Sequence, residues 1–467
     1  MNQIARSLRG NSNAARDIAS HLHPYTNFKK HEAEGPMTIV RGRGVYVIDD
    51  DGKEYIEGMA GLWSASLGFD NERVAKAAYE QMRQLPFYHS FNHRSHEPAI
   101  ALAEKLLSMA PVPMSKVFFA NSGSEANDTA VKMIWYMNNA LDRPLKKKII
   151  SRIKGYHGVT VAAASLTGLP NNHRSFDLPI QGILHTSCPH FYRFGQDGET
   201  EDQFADRCAQ ELEELILREG PDTVAAMFCE PVMGAGGVIV PPRGYYKKIQ
   251  AILRKYDVLL VADEVICGFG RTGNVWGSQT LGLQPDILTC AKALSASFLP
   301  ISAVMVNERV YQALMTESDK IGVWGHGFTY SGHPVAAAVA LEVQKIYDET
   351  DLFGHAARLA PHFQAKLRAN LDHPLVGEAM GVGLVGALEL VVDKTTRTAL
   401  PAVGALGGRV AKHAQDRGLI ARNMGDRIAI CPPLIITQAE VDELFARLSG
   451  ALDDALGGLR AEGLFAS

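Results

Sequence analysis

Lys292 closes the segment Asp286-Ile-Leu-Thr-Cys-Ala-Lys292, so a charged side chain directly follows a compact apolar run. Burial disfavours an ammonium, lowers its pKa and exposes the neutral amine as a nucleophile of the kind that forms Schiff bases. The alternative is a lysine that snorkels to the surface. A second run, Val258-Leu-Leu-Val-Ala262, ends in Asp263-Glu264. A carboxylate there needs a partner, because unpaired burial is costly. Asp263 could cap a helix, pair with Arg271, or hold a cationic ring nitrogen of a bound cofactor. A third run, Lys116–Ala120, leads into Asn121-Ser-Gly-Ser-Glu125. Ser122 and Glu125 have capping-box spacing, which predicts a helix starting at Gly123. The N–H groups of Gly123 and Ser124 would then face outward at the positive end of the helix, a place suited to phosphate. An ordinary helix start explains the same residues. The fourth run, Val224–Phe228, is followed by Cys229-Glu230-Pro231 and by Met233-Gly-Ala-Gly-Gly237. Glu230 repeats the carboxylate at a strand end, and the glycines allow close backbone approach or simply a turn.

Singly, none of the four separates a site from ordinary structure. Jointly they supply an anion cradle, an acid for a ring nitrogen and an amine nucleophile, the three groups that pyridoxal phosphate requires. Competing chemistries fare worse. Gly268-Phe-Gly-Arg-Thr-Gly273 and Gly381-Val-Gly-Leu-Val-Gly386 both match G-x-G-x-x-G. A dinucleotide fingerprint must open a helix after a strand, and neither does so by pattern. G-x-S-x-G and H-E-x-x-H are absent. The six cysteines show no C-x-x-C spacing and read as free thiols in a reducing compartment, with no metal site expected.

With 47 basic and 51 acidic residues the formal charge is −4, and nucleic acid is not the expected partner, because phosphate binding needs a clustered basic surface. No apolar run reaches the ~18 residues of a membrane span. Arg6, Arg9 and Arg16 make a transit peptide conceivable, but the absence of an apolar stretch favours a polar N-terminal arm and a cytoplasmic protein. At 467 residues, two or three domains and a large core are expected.

The elements that must position these groups follow from periodicity. Asp50-Asp51-Gly52 is hairpin turn chemistry between Val45–Ile48 and Lys53–Ile56. Ala126, Ala130, Met133 and Met137 stripe one helix, and Phe204, Cys208, Leu212 and Leu215 another that Gly220 can end. The compact runs between helices suggest parallel strands buried on both faces. Towards the C-terminus, Gly381–Val392 reads as a strand. Leu419–Ala421 and Ile428–Cys431 read as two more, and Thr437 with Glu440 caps a final helix. The expected fold class is α/β, with a mainly parallel sheet between helices in a large domain at 76–334. A smaller α+β domain would be built from both chain ends, 1–75 and 335–467.

Leu259-Leu-Val-Ala-Asp-Glu-Val-Ile-Cys-Gly-Phe-Gly-Arg-Thr-Gly273, followed by Pro285–Lys292, resembles the signature of the class III pyridoxal-phosphate aminotransferases, which are fold-type I enzymes. Asn121–Asn127, Gly155–Gly158 and Gly327–Pro334 match as well. Gly61-Leu-Trp63, Leu85–Tyr88 and Gly236–Pro242 are similar to the omega-amino acid or amine:pyruvate branch. The resemblance implies that Lys292 bonds to the cofactor and shuttles the substrate proton, and that Asp263 pairs with the pyridinium nitrogen. It implies that Val265 and Tyr156 sandwich the ring, that Gly123 and Ser124 bind the phosphate, and that Thr329 reaches the phosphate from the neighbouring subunit. Glu230 would support the site beside Asp263. Trp63 and Phe91 would line the substrate pocket, although both could be core aromatics. Arg422 would grip an acceptor carboxylate and swing away for amines, with Arg427 as competitor. Ala293 stands where most relatives have glycine, and Tyr330 follows Thr329; both bear on substrate range.

The implied activity is amino transfer from an omega-amino acid, diamine or other primary amine to pyruvate, in a homodimer with a shared site or a tetramer. An aminomutase or a decarboxylating enzyme would use the same cofactor residues. A non-catalytic binding protein would be expected to lack Lys292 or Asp263, and both are present.

Overall fold

A computed structural model describes residues 11–465; Arg6 and Arg9 lie outside them. The chain opens with helices Asn13–Ser20 and Phe28–Glu34, then strands β1 (Ile39–Arg43), β2 (Tyr46–Asp49) and β3 (Glu54–Glu57). β2 and β3 pair antiparallel across Asp50–Gly52, and Gly52 takes the left-handed conformation, φ +82°, that the tight turn needs.

Seven strands follow: β4 (Lys116–Ala120), β5 (Lys148–Arg152), β6 (Ile183–Thr186), β7 (Val224–Cys229), β8 (Leu259–Asp263), β9 (Ile287–Cys290) and β10 (Ser302–Val306). They form one sheet in the order β4-β10-β9-β8-β7-β5-β6. The pairs from β6 through β9 are parallel, while β10 runs antiparallel to both neighbours. Every residue of β7, β8 and β9 is buried, as compact apolar runs demand. The two-residue alternation splits them between two cores. Ile149, Phe228 and Val261 pack with Ala126, Met133 and Met137 of helix Gly123–Ala140. Ile150, Met227 and Leu260 pack with Phe204, Leu212 and Ile249 on the opposite face. The helices carrying those residues are Glu201–Glu219, ended at Gly220, and Tyr245–Lys255.

Nearer the C-terminus lie β11 (Val376–Val382), β12 (Val385–Leu390), β13 (Leu419–Ile420), β14 (Arg422–Met424) and β15 (Arg427–Ile430). The stretch expected as one strand, Gly381–Val392, is instead split between two. β11 and β12 form an antiparallel hairpin that turns at Gly383, φ +59°. Apolar content continues through that turn because Leu384 is itself buried, which hides it from a pattern reading. β13 pairs in parallel with β3, so both ends of the chain meet in one sheet. One residue later β14 pairs antiparallel with β15 in a different sheet, and Arg422 sits at that crossing. Helix Gln438–Ala461 starts at the Thr437–Glu440 capping box. Among the described residues no helix is long and apolar enough to cross a membrane.

Candidate active site

Parallel strands deliver their carboxyl ends to one edge, and β8 and β9 are neighbours with Asp263 in register with Thr289. Asp263 ends β8, and Lys292 follows β9 after Ala291. Asp263 is 3% exposed and held by three donors. Asn127 Nδ2 and His157 Nδ1 each lie 2.8 Å from Oδ2, and the Val265 N–H donates to Oδ1 at 3.1 Å. The expected competitor for Asp263, Arg271, donates instead to the carbonyls of Leu384 and Pro432. Glu264 accepts from the N–H groups of Gly277 and Ser278 at the start of a short helix.

Lys292 is in the left-handed region, φ +51°, a conformation costing a non-glycine residue on the order of 1 kcal/mol. Its amine has no hydrogen-bond partner among the described residues. Burial pushes the amine down to about 8; the charges of Asp263 and Glu230 oppose that fall and Arg422 adds to it. These four side chains therefore share one electrostatic neighbourhood. Ala293 is not among the residues with positive φ, so glycine is not required there, and its carbonyl accepts from the Tyr347 hydroxyl at 2.7 Å.

Helix Gly123–Ala140 is capped by Ser122, whose hydroxyl accepts from the Glu125 N–H at 3.2 Å. The reciprocal half of the expected capping box differs: the Glu125 carboxylate reaches the N–H and side chain of Asn121, one residue before the cap. The first-turn N–H groups of Gly123 and Ser124 remain free of partners among the described residues. A Cβ at Gly123 would stand 3.1 Å from both methyls of Val265, and one at Gly158, φ +131°, would stand 2.8 Å from Ser124 Cα. The two glycines thus bring the helix end, Val265 and the 155–158 loop into contact.

That loop carries Tyr156, whose N–H donates to Glu230 Oε1 at 2.9 Å; Glu230 Oε2 accepts from the Gly234 N–H. Burial pushes the Glu230 carboxyl up, and the charge of Asp263 adds to this. The Tyr156 hydroxyl is raised by burial and by its hydrogen bond to Tyr25, against the pull of Arg422. Burial lowers the Arg422 guanidinium, and no carboxylate pairs with it among the described residues. Arg427 differs: it is buried and committed to Glu378 at 2.8 Å and Glu389 at 2.6 Å.

Lys292, Asp263, Glu230, Tyr156, Val265, Gly123, Ser124 and Arg422 thus converge. Trp63 is 2% exposed and packs among Val232, Ile266 and Cys431, a thiol whose proximity Lys292 also senses. Phe91 and Thr329 are exposed, with Phe91 packing against Gly327, and among the described residues no hydrogen bond or ion pair ties either to this group. The sequence alone assigns no role to Asn127, His157 or Tyr25. Asn127, four residues after Gly123, faces the sheet by helical periodicity, which is the signal that could have found it. For Tyr25, 131 residues before Tyr156, there was none.

The residues present fit pyridoxal phosphate: an unpaired amine of lowered basicity, free N–H groups at a helix end, and a buried, oriented carboxylate for a cationic ring nitrogen. Fold and site define a pyridoxal-phosphate-dependent aminotransferase. The chain belongs to the class III aminotransferases, whose family model, Aminotransferase class-III, matches residues 28–452. It is similar to gamma-aminobutyrate transaminase 1, mitochondrial, of Oryza sativa subsp. indica, 50% identical over 432 residues, covering 92% of this chain and 84% of that one. Gamma aminobutyrate transaminase 3, chloroplastic, of Solanum lycopersicum is 49% identical over 420 residues, covering 90% and 81%. Among solved structures, the omega transaminase from Pseudomonas jessenii in complex with PMP is 58% identical, with a TM-score of 0.95 over 97% of this chain and 99% of that one.

Proposed function

We propose that this chain transfers the amino group of an omega-amino acid, diamine or other primary amine to pyruvate, as a homodimer with shared sites in the cytoplasm. The observation that carries the reading is Arg422, a half-buried guanidinium without a carboxylate partner beside Tyr156 and the Lys292 amine. A planar fork of donors suits an acceptor carboxylate, and its lack of a fixed partner leaves it free to turn aside for an amine without one. The omega and gamma-aminobutyrate transaminases among its relatives support a donor amine remote from a carboxylate.

Bound here, pyridoxal phosphate supplies an aldehyde to receive the amino group and an electron-withdrawing ring. The Gly123 and Ser124 N–H groups would bind its phosphate at the helix end. Asp263, fixed by His157, Asn127 and Val265, would hold a proton on the ring nitrogen. Val265 and Tyr156 would hold the ring between them, and Glu230 fixes Tyr156 through its backbone. The Lys292 amine, near 8, is poised both to take a proton from the substrate carbon and to return it. Trp63 borders the pocket, while Phe91 and Thr329, exposed here, would complete the site of a second copy. The six cysteines, all buried and unpaired, suit a reducing compartment.

The test is a donor panel (beta-alanine, gamma-aminobutyrate, putrescine, an aryl ethylamine) against pyruvate, read as alanine formed. Alanine from at least one donor supports the reading. Retained cofactor with no alanine from any donor contradicts it, and release of carbon dioxide or amine migration within the donor would favour the decarboxylating or aminomutase alternatives.

A further inference from the structure

Among the described residues, two groups of histidine and carboxylate have atoms spaced closely enough to hold a cation. In the first, His190 with Glu378 and Glu389, the guanidinium of Arg427 already fills the space between the carboxylates. The second is built from the N-terminal segment, and among the described residues no lysine or arginine pairs with its carboxylate. Helix Asn13–Ser20 presents Asp17 one turn before His21, which ends the helix. His21 Nδ1 lies 3.2 Å from Asp17 Oδ1. His23 Nε2 lies 3.0 Å from Oδ1 and 2.8 Å from Oδ2. His31 Nε2 approaches Oδ2 from the next helix at 2.9 Å. The His23 ring centroid is 4.3 Å from those of both His21 and His31.

Three imidazole nitrogens from two elements thus converge on one carboxylate, and one atom each from Asp17, His21 and His23 lie within 4.8 Å of one another. A tetrahedral zinc ion with bonds of about 2.0–2.1 Å places its ligand atoms roughly 3.3 Å apart. The distances of His21 and His23 from the Asp17 carboxylate need only a slight expansion, and the two imidazole nitrogens lie within 4.8 Å of each other. Imidazole nitrogen with a carboxylate oxygen selects zinc-class cations over magnesium or calcium, which take oxygen ligands. A ligating carboxylate is commonly hydrogen-bonded through its other oxygen, and His31 stands where that partner would be.

We propose that Asp17, His21 and His23 bind one divalent transition-metal cation of the zinc class, with His31 orienting Asp17 and the fourth position open to water. The sequence holds no C-x-x-C or H-E-x-x-H, and the ligands fall instead on the spacing D-x-x-x-H-x-H. The site is linked to the active site through two residues. His23 is followed by Pro24 and Tyr25, and the Tyr25 hydroxyl bonds both Asn172 Nδ2, at 2.6 Å, and the Tyr156 hydroxyl. A cation at the root of this segment restrains the residue that rests on Tyr156.

The experiment uses untagged holoenzyme, stripped with a chelator, desalted, and loaded with zinc(II) or cobalt(II). The expected result is one ion retained per chain, with the intense visible bands of tetrahedral cobalt. His21→Ala, a side chain 61% exposed, and His23→Ala should each abolish the bands, and His31→Gln should weaken zinc binding about 10-fold or more. Circular dichroism and retained cofactor absorbance verify folding. Failure to retain the ion, or equal retention by a folded His21→Ala variant, overturns the proposal and leaves a hydrogen-bonded cluster only.

Discussion

Lys292 offers a prediction whose size follows from its surroundings. Its amine is brought from an ordinary 10.5 to about 8 by burial. At ~1.4 kcal/mol per unit, that is about 3 kcal/mol of preference for the neutral form. At pH 7 roughly one amine in ten is then neutral, against about one in three thousand for an ordinary lysine. Only the neutral amine attacks an aldehyde, so reconstitution of the apo-enzyme with pyridoxal phosphate should accelerate about tenfold per pH unit and level off above pH 8. The assay is stopped-flow absorbance across pH 6–11, with Lys292→Ala as the blank. Asp263→Asn removes a charge that supports the protonated amine, so the inflection should move lower still. Arg422→Leu removes a charge that disfavours it, and the inflection should move up. A wild-type inflection near 10, or an upward shift in Asp263→Asn, would refute the reasoning.

Other expectations can be checked more briefly. Burial raises the Glu57 carboxyl to about 7 although it accepts from the N–H groups of Met59 and Gly61, in the loop where Ala60, Gly61 and Trp63 all have positive φ. A raised carboxyl favours the folded state below pH ~4.5 and loses that contribution as pH climbs to ~7, so Glu57→Gln should flatten the loss of thermal stability between pH 5 and 8. Gly158→Ala, which sets a Cβ against Ser124 at φ +131°, should reduce cofactor retention on dialysis without unfolding the chain. Arg422→Ala should raise KM for pyruvate ~10–100-fold and spare the half-reaction with a hydrophobic amine, because a charge-assisted fork contributes about 1.5–3 kcal/mol. Arg427→Ala should instead cost stability, about 1.5–3 kcal/mol, by removing the cation that bridges Glu378 and Glu389 and leaving them only His190 and Arg193.

Strands at the centre of the sheet were legible because burial on both faces makes them unbroken apolar runs, and the residues just beyond them, Asp263 and Lys292, stood out as charges in the wrong place. β10 escaped notice although it is as buried as its neighbours, since no chemically distinctive residue follows it. The hairpin of β11 and β12 read as one strand because its turn is apolar. Asn127 and His157, which fix Asp263, are polar residues whose purpose is visible only once the helix and the 155–158 loop meet over the strand end. Tyr25 reaches Tyr156 across more than a hundred residues, a proximity that no local pattern encodes. Arg422 and Arg427 look alike in sequence and separate only by their partners.

The central claim is tested most directly by reducing the yellow holoenzyme with borohydride, digesting it and locating the cofactor by mass spectrometry. A pyridoxyl mass on the peptide containing Lys292, and on no other lysine, is the predicted result. A modified lysine elsewhere, or none, would contradict it.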